Sequence, residues 1–141
     1  MLDLRKLLSV GQNAMLRRVV QRSDTAADYS NDLNELLATP ICVDMAIRAA
    51  IATIDQYLPE GFISIGSSIR FTHTAATSLG MTVMVRCQII EVEEHEILLE
   101  IKAWDEQGDI GHGLHKRYVV DKAALLKKAR QRTRFLTNHQ I

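Results

Sequence analysis

The stretch that most limits what this chain can fold into runs from Thr39 to Pro59, TPICVDMAIRAAIATIDQYLP. Ile41, Val43, Met45, Ile47, Ala50, Ile51, Ile54 and Leu58 make it almost continuously apolar. Thr39 suits an N-cap, and Pro40 suits the first helical position, where its missing N–H costs nothing. Pro59 ends the helix. A helix that is apolar on most sides has to be buried on most sides. Its polar exceptions Asp44, Arg48 and Asp55 fall on one narrow stripe.

Beyond Pro59 the hydrophobic period changes from helical to two. Ile63, Ile65, Ile69 and Phe71 share a parity that His73 continues, while Ser64, Gly66, Ser68, Arg70 and Thr72 take the other. That parity places His73 on the face turned toward the helix. Met81–Val92 alternates again, Glu93-Glu94-His95 reads as a tight turn, and Ile97–Ala103 as the next strand. Asp105–Asp109 reads as a hairpin loop with Gly108 at positive φ, and Ile110–Val120 as the last strand. Asp121 then caps a basic helix from Lys122 to about Phe135. Upstream, Met1–Val10 is a short amphipathic segment, Met15–Gln21 a first strand, and Asp24–Asn34 a turn-rich connection. The predicted order is strand, long buried helix, then four strands in a meander. This is an α+β fold whose antiparallel sheet wraps one helix.

At 141 residues the chain predicts one domain, with a core over about 12–121 and a basic C-terminal helix and tail over 122–141. A formal net charge of +0 supplies no global field for nucleic acid or an anionic membrane, so neither is expected as a partner. Cys42 and Cys87 lie in apolar segments without metal-type spacing, and read as buried thiols of a reducing, cytoplasmic compartment. The N-terminal apolar segment is interrupted by Asp3, Arg5 and Lys6, too short and charged for a signal or a span. His112 and His115, three apart on a strand, face opposite ways and make a poor metal pair, so no metal is expected. The acidic run Glu91–Glu96 reads as a solvated turn. The chain contains neither a Gly-rich phosphate loop nor a GxSxG elbow.

Two residues carry candidate chemistry. Thr39 puts a hydroxyl at a helix N-terminus, where the dipole and backbone N–H groups favour developing negative charge. Pro40 removes one such donor, leaving Ile41 or a neighbouring strand to supply others. His73, followed by small Ala75 and Ala76, can act as a base toward water or the Thr39 hydroxyl. Each also has a structural reading, as a cap and as a half-buried polar residue.

Ala38-Thr39-Pro40, the run Ile65–Gly80 (IGSSIRFTHTAATSLG) and Gly111–Val120 (GHGLHKRYVV), at their spacing, resemble the fluoroacetyl-CoA thioesterase-like family of hot-dog proteins. The resemblance covers about Met15 to Val120. It implies a hot-dog fold, hydrolysis of a short acyl-CoA with coenzyme A as part of the substrate and no other cofactor, and a homodimer with its site at the subunit boundary. Pairing of dimers into a tetramer is left open. By the same resemblance Thr39 is the catalytic hydroxyl, His73 the base, Gly66 a backbone contact to the thioester, and Arg117 a neighbour of the acyl or CoA part. The family's helix glutamate falls at Ile47, which can neither orient an imidazole nor activate water. Asp44, one turn earlier and rotated by about 60°, is a substitute or simply the i,i+4 partner of Arg48. Leu33 stands where the family's aromatic gate for fluoroacetyl would be. Ile47 also motivates a rival reading, a non-catalytic module that binds an acyl-CoA or acyl ligand. A hot-dog hydratase ranks third.

Overall fold

The computed structural model describes residues 2–139; Met1 and the tail residues Gln140 and Ile141 lie outside the described residues. The elements in chain order are α1 (Leu4–Leu7), β1 (Asn13–Val19), α2 (Thr39–Ile54), β2 (Phe62–His73), β3 (Thr82–Val92), β4 (Glu96–Asp105), β5 (Gly108–Asp121) and α3 (Lys122–His139). The connection from β1 to α2 holds three short 3₁₀ turns, and a fourth, Asp55–Tyr57, extends α2 toward Pro59. All five strands form one antiparallel sheet that curls round α2, the hot-dog arrangement.

The sheet order is β1-β3-β4-β5-β2, which corrects the expected four-strand meander. Only β3, β4 and β5 follow one another by hairpins. β2 pairs with β5, three places from β3. The reason lies in the link from Thr74 to Met81, which is no hairpin turn. It bonds instead to the segment before α2, with Leu37 N–H donating to Thr77 O at 2.9 Å and Leu79 N–H to Glu35 O at 2.7 Å. An isolated bridge pairs Leu36 with Ser78. The link thus crosses the end of the sheet under the start of α2 and leaves β2 as an outer strand.

Helix α2 lies on the sheet through Cys42, Met45, Ala46, Ala49, Ala50, Thr53 and Ile54, all buried. Alanines at the contact bring the helix backbone close: Cys87 Sγ donates to Ala46 O at 3.1 Å. Facing them are Val83, Val85, Cys87 and Ile89 of β3 and Ile97, Leu99, Ile101 and Ala103 of β4, in the alternation read from the sequence. The helix is less fully covered than its composition predicts. Val43 and Ile47 are half-buried and Ile51 is 40% exposed, so a ridge at i, i+4, i+8 is left on one flank. The core also reaches back to Leu4 and Leu8 of the N-terminal turn, upstream of the expected core.

Strand β2 carries the main departure from simple alternation. Its register against β5 shifts between Gly66 and Ser68, a β-bulge at Ser67. Ser64 and Gly66 stand opposite Val119 and Arg117; beyond the bulge Ile69, Phe71 and His73 stand opposite His115, Gly113 and Gly111. Opposed residues share a face, so the inner face reads Ser64, Gly66, Ile69, Phe71, His73. Ile63 and Ile65 lie on the outer face, contrary to the single parity of the sequence. The prediction for His73 holds because the bulge switches parity before it.

Gly111 and Gly113 make room for that inner face. A methyl group at Gly111 would overlap the Phe71 ring, and one at Gly113 would overlap the Arg70 carbonyl oxygen. Substituting Gly113→Ala should therefore lower stability by about 2–3 kcal/mol through overpacking against backbone. Urea denaturation read by far-UV circular dichroism checks this, with Gly61→Ala, which meets no neighbour but has φ 89°, as a comparison of pure backbone strain.

Candidate active site

The two ends of the crossing link bring the candidate residues together. Thr74 and Ala75 N–H groups both donate to Ile110 O, at 2.7 and 3.3 Å, and fix the chain just behind His73. On the other side Ala38 N–H donates to the carbonyl of the buried Asp24 at 2.9 Å, and Thr77 Oγ1 to Asp105 Oδ2 at 2.6 Å. Between these anchors Thr39 Oγ1 lies 2.8 Å from His73 Nδ1.

Thr39 is not the cap that the sequence suggested. Ala38 occupies the N-cap without any side-chain bond, and Thr39 is the first helical residue with Pro40 after it. The hydroxyl is thereby released from capping and turned to the imidazole. Nor does Ile41 offer a spare donor: its N–H bonds to Ala38 O at 3.1 Å. His73 Nε2 is buried and has no hydrogen-bond partner among the described residues. Burial pushes the His73 pKa below its ordinary value, only partly offset by the Ala75 backbone, so the imidazole is neutral at neutral pH and can accept a proton. Its ring stands against Phe71 at a centroid distance of 6.1 Å. The pair opens into a cavity of about 350 Å³ whose wall includes Leu33, Leu36, Ala75 and Ala76.

The remaining sequence candidates form a second cluster. Gly66, Arg117 and Ile47 line a separate cavity of about 430 Å³ together with Ser64, Ile69 and His115. Arg117 is 3% exposed. Its Nε donates to Ser64 Oγ at 2.8 Å, its Nη2 to Ser64 O at 2.8 Å, and its Nη1 to His115 Nε2 at 3.1 Å. Ser64 in turn donates its hydroxyl and its backbone N–H to Asp55. His115 Nδ1 donates to Ser68 O at 2.8 Å, which leaves Nε2 as the acceptor Arg117 needs. Burial lowers the pKa of His115, and the guanidinium beside it lowers it further, against the Ser68 backbone. A methyl group on Gly66 would come within 3.3 Å of the His115 ring and 3.4 Å of Arg117 Nη1, so glycine permits this packing.

Asp44 joins neither cluster. Its Oδ2 accepts from Arg48 Nε at 2.8 Å on the partly exposed side of α2, the i,i+4 pair of the alternative reading. The sequence missed Asp55, Ser64 and His115 as a unit. In the sequence His115 reads only as half of a poor metal pair, and Ser64 sits on the apparent polar parity that the bulge turns inward. Burial pushes the thiols of Cys42 and Cys87 up to about 11 and about 12, so both stay protonated and neither serves as a nucleophile.

Two stability measurements follow from this geometry. Ser64→Ala removes the hydroxyl that joins Arg117 Nε to Asp55 and leaves Asp55 only the Ser64 backbone N–H; it should cost about 2–4 kcal/mol, against less than about 0.5 kcal/mol for Asp44→Asn at the exposed pair. Guanidinium titrations of both variants read the contrast. The pH dependence has a definite sign. With His73 and His115 held below 6.5 in the fold, the unfolded chain takes up protons first on acidification. Stability should be full above about pH 6.5 and fall as the pH drops below it, as thermal melts across pH 5–8 would record.

Residues 20–123 match the model of the fluoroacetyl-CoA-specific thioesterase family. A fluoroacetyl-CoA thioesterase from Streptantibioticus cattleyicolor is 35% identical over 99 residues, 70% of this chain and 71% of the relative. Among solved structures, a hot-dog-like protein from Thermanaerovibrio acidaminovorans superposes with a TM-score of 0.88 at 30% identity, covering 93% of this chain and 97% of that one. A variant of fluoroacetyl-CoA thioesterase in complex with acetyl-CoA superposes at 0.80, with 30% identity and 89% and 99% coverage. The chain belongs to the fluoroacetyl-CoA-specific thioesterase family of hot-dog proteins.

Proposed function

We propose that this protein is an acyl-CoA thioesterase that hydrolyses a short acyl thioester, with Thr39 and His73 as its working pair. The observation that carries the reading is the 2.8 Å contact between Thr39 Oγ1 and a neutral, half-buried His73 at a cavity wall. A threonine hydroxyl is a poor nucleophile unless a base takes its proton. His73 Nδ1 can accept that proton as Oγ1 attacks the thioester carbonyl, and then return it to the departing CoA sulfur. A second attack, by water with His73 again as base, breaks the bond between the acyl group and Thr39 Oγ1, and His73 returns the proton to Oγ1 as the acid leaves. In the direct route the same imidazole deprotonates water and Thr39 only positions it. Hydrolysis of either kind balances as thioester plus water to acid plus thiol.

The site extends over two protomers in this reading. Thr39, His73 and Leu33 line one cavity and Gly66, Arg117 and Ile47 another, so one protomer holds two partial sites. Two features favour a homodimer that joins them. Among the described residues β2 ends the sheet with a 12-residue unpaired edge, and α2 leaves the Val43–Ile47–Ile51 ridge partly uncovered. Arg117 and the backbone at Gly66 from one protomer would then face the thioester that the other protomer's Thr39 attacks. The acyl group need not be fluoroacetyl, because Leu33 rather than an aromatic side chain lines the cavity.

Thiol release from a panel of short acyl-CoAs tests the proposal. Wild type should turn over at least one of them, and His73→Ala and Thr39→Ala should each lower kcat/KM by about 10²- to 10⁴-fold while the fold, read by circular dichroism, is kept. A pre-steady-state burst of thiol separates the covalent route from the direct one. Saturable acyl-CoA binding with no turnover in wild type would instead return the binding-module reading raised by Ile47.

A further inference from the structure

Helix α3 is the part of the molecule that the reaction leaves unused, and its charge is unusual. Residues 1–121 hold 11 of the 17 basic residues and all 17 acidic ones, so the body carries an excess of six negative charges and the residues that follow carry six positive. Those six are Lys122, Lys127, Lys128, Arg130, Arg132 and Arg134. None of them makes an ion pair among the described residues. Lys128 with Arg132 and Arg130 with Arg134 stand at i,i+4, where like charges repel. The zero net charge of the chain therefore conceals a cationic helix whose self-repulsion an anion would relieve.

The helix also builds a groove. Its first turn is tied down: Lys122 N–H donates to Gly61 O at 2.9 Å and Ala124 N–H to Asp121 Oδ1 at 3.1 Å. Between that turn and the end of β5 lies a cavity of about 540 Å³ with an apolar floor of Val120, Ala124 and Leu125, a polar rim of Lys127, Lys128 and Gln131, and at its strand end the carboxylate of Asp121, which accepts from Ala124 N–H. A floor of this kind suits an aromatic base, and a rim with two ammonium groups suits its phosphates. Both are parts of one ligand, a phosphorylated adenine nucleotide. The groove sits on the strand that carries Arg117, four residues further on, about 13 Å at strand rise, a span the pantetheine arm of CoA can bridge.

We propose that the groove between α3 and the end of β5 holds the phosphorylated nucleotide end of CoA, with Lys127 and Lys128 on its phosphates. This rests on the thioesterase reading only for the identity of the ligand. The volume suits a single nucleotide rather than a polyanion such as a nucleic-acid duplex, whose contacts would spread along the whole helix.

Calorimetric titration of the full chain with free CoA, 3′-dephospho-CoA and pantetheine tests the groove without requiring turnover. The double variant Lys127→Gln/Lys128→Gln should weaken CoA binding by roughly five- to twentyfold. Removing the 3′-phosphate from the ligand should weaken wild type and leave a smaller difference between the two proteins, and on pantetheine they should become equal. Lys127→Arg/Lys128→Arg should restore most of the loss, which a merely misfolded helix would not allow. Equal CoA affinity in wild type and the glutamine variant, or an equal loss on pantetheine, would overturn the proposal. A protein that binds CoA in this pattern yet hydrolyses no acyl-CoA would sink the hydrolase reading and spare the groove; turnover with unchanged CoA affinity in the variant would do the reverse.

Discussion

The close approach of α2 to the sheet is the constraint on which the rest depends. Ala46, Ala49 and Ala50 are fully buried at the contact, so the helix backbone lies near β3, and even a thiol reaches its carbonyl. The alternating aliphatic side chains of β3 and β4 are fully buried around it. A helix held this near needs a sheet that curls, and a curled sheet needs an outer strand at each side. β1 serves on one side and β2 on the other.

The position of β2 brings Thr39 and His73 together. Because the link from Thr74 to Met81 bonds to Glu35 and Leu37, the chain that leaves β2 is tied to the segment that leads into the helix. Thr39 and His73 are 34 residues apart, and they meet because that crossing is ordered. The bulge at Ser67 acts at the other end of the same strand. It turns Ser64 and Gly66 inward, and Ser64 then links Arg117 to Asp55, so a buried cation is balanced through one hydroxyl. Removing a charge partner from such an interior is far more costly than losing a surface pair.

The two titratable centres are tuned in the same direction for different reasons. His73 is neutral chiefly because it is partly desolvated, which leaves Nδ1 free to accept from the Thr39 hydroxyl. His115 is neutral because it is buried against a guanidinium, and neutrality there lets it accept a hydrogen bond from the cation beside it. Each ring is left with an acceptor nitrogen, turned to the Thr39 hydroxyl at His73 and to the guanidinium at His115.

Much of this was legible in the residues themselves. The apolar run Ile41–Leu58 demanded a wrapped helix, period-two patterning announced the strands after it, and Gly108 marked a turn at φ 128°. The motif blocks singled out Thr39, His73, Gly66 and Arg117, and the fold brings the first two into contact and the other two to one cavity. Other features could not be read that way. Strand order depends on where a non-hairpin link crosses, and linear periodicity is silent on that. A bulge moves half a strand's side chains to the other face while leaving the apparent alternation intact, so simple parity puts Ile63, Ile65 and Ser64 on the wrong sides. Whether Thr39 caps the helix or meets an imidazole was decided by a residue 34 positions away. Local propensity and pattern belong to the sequence alone; register, crossing and the partner of each buried polar group exist only once distant segments compete for the same space and the same hydrogen bonds.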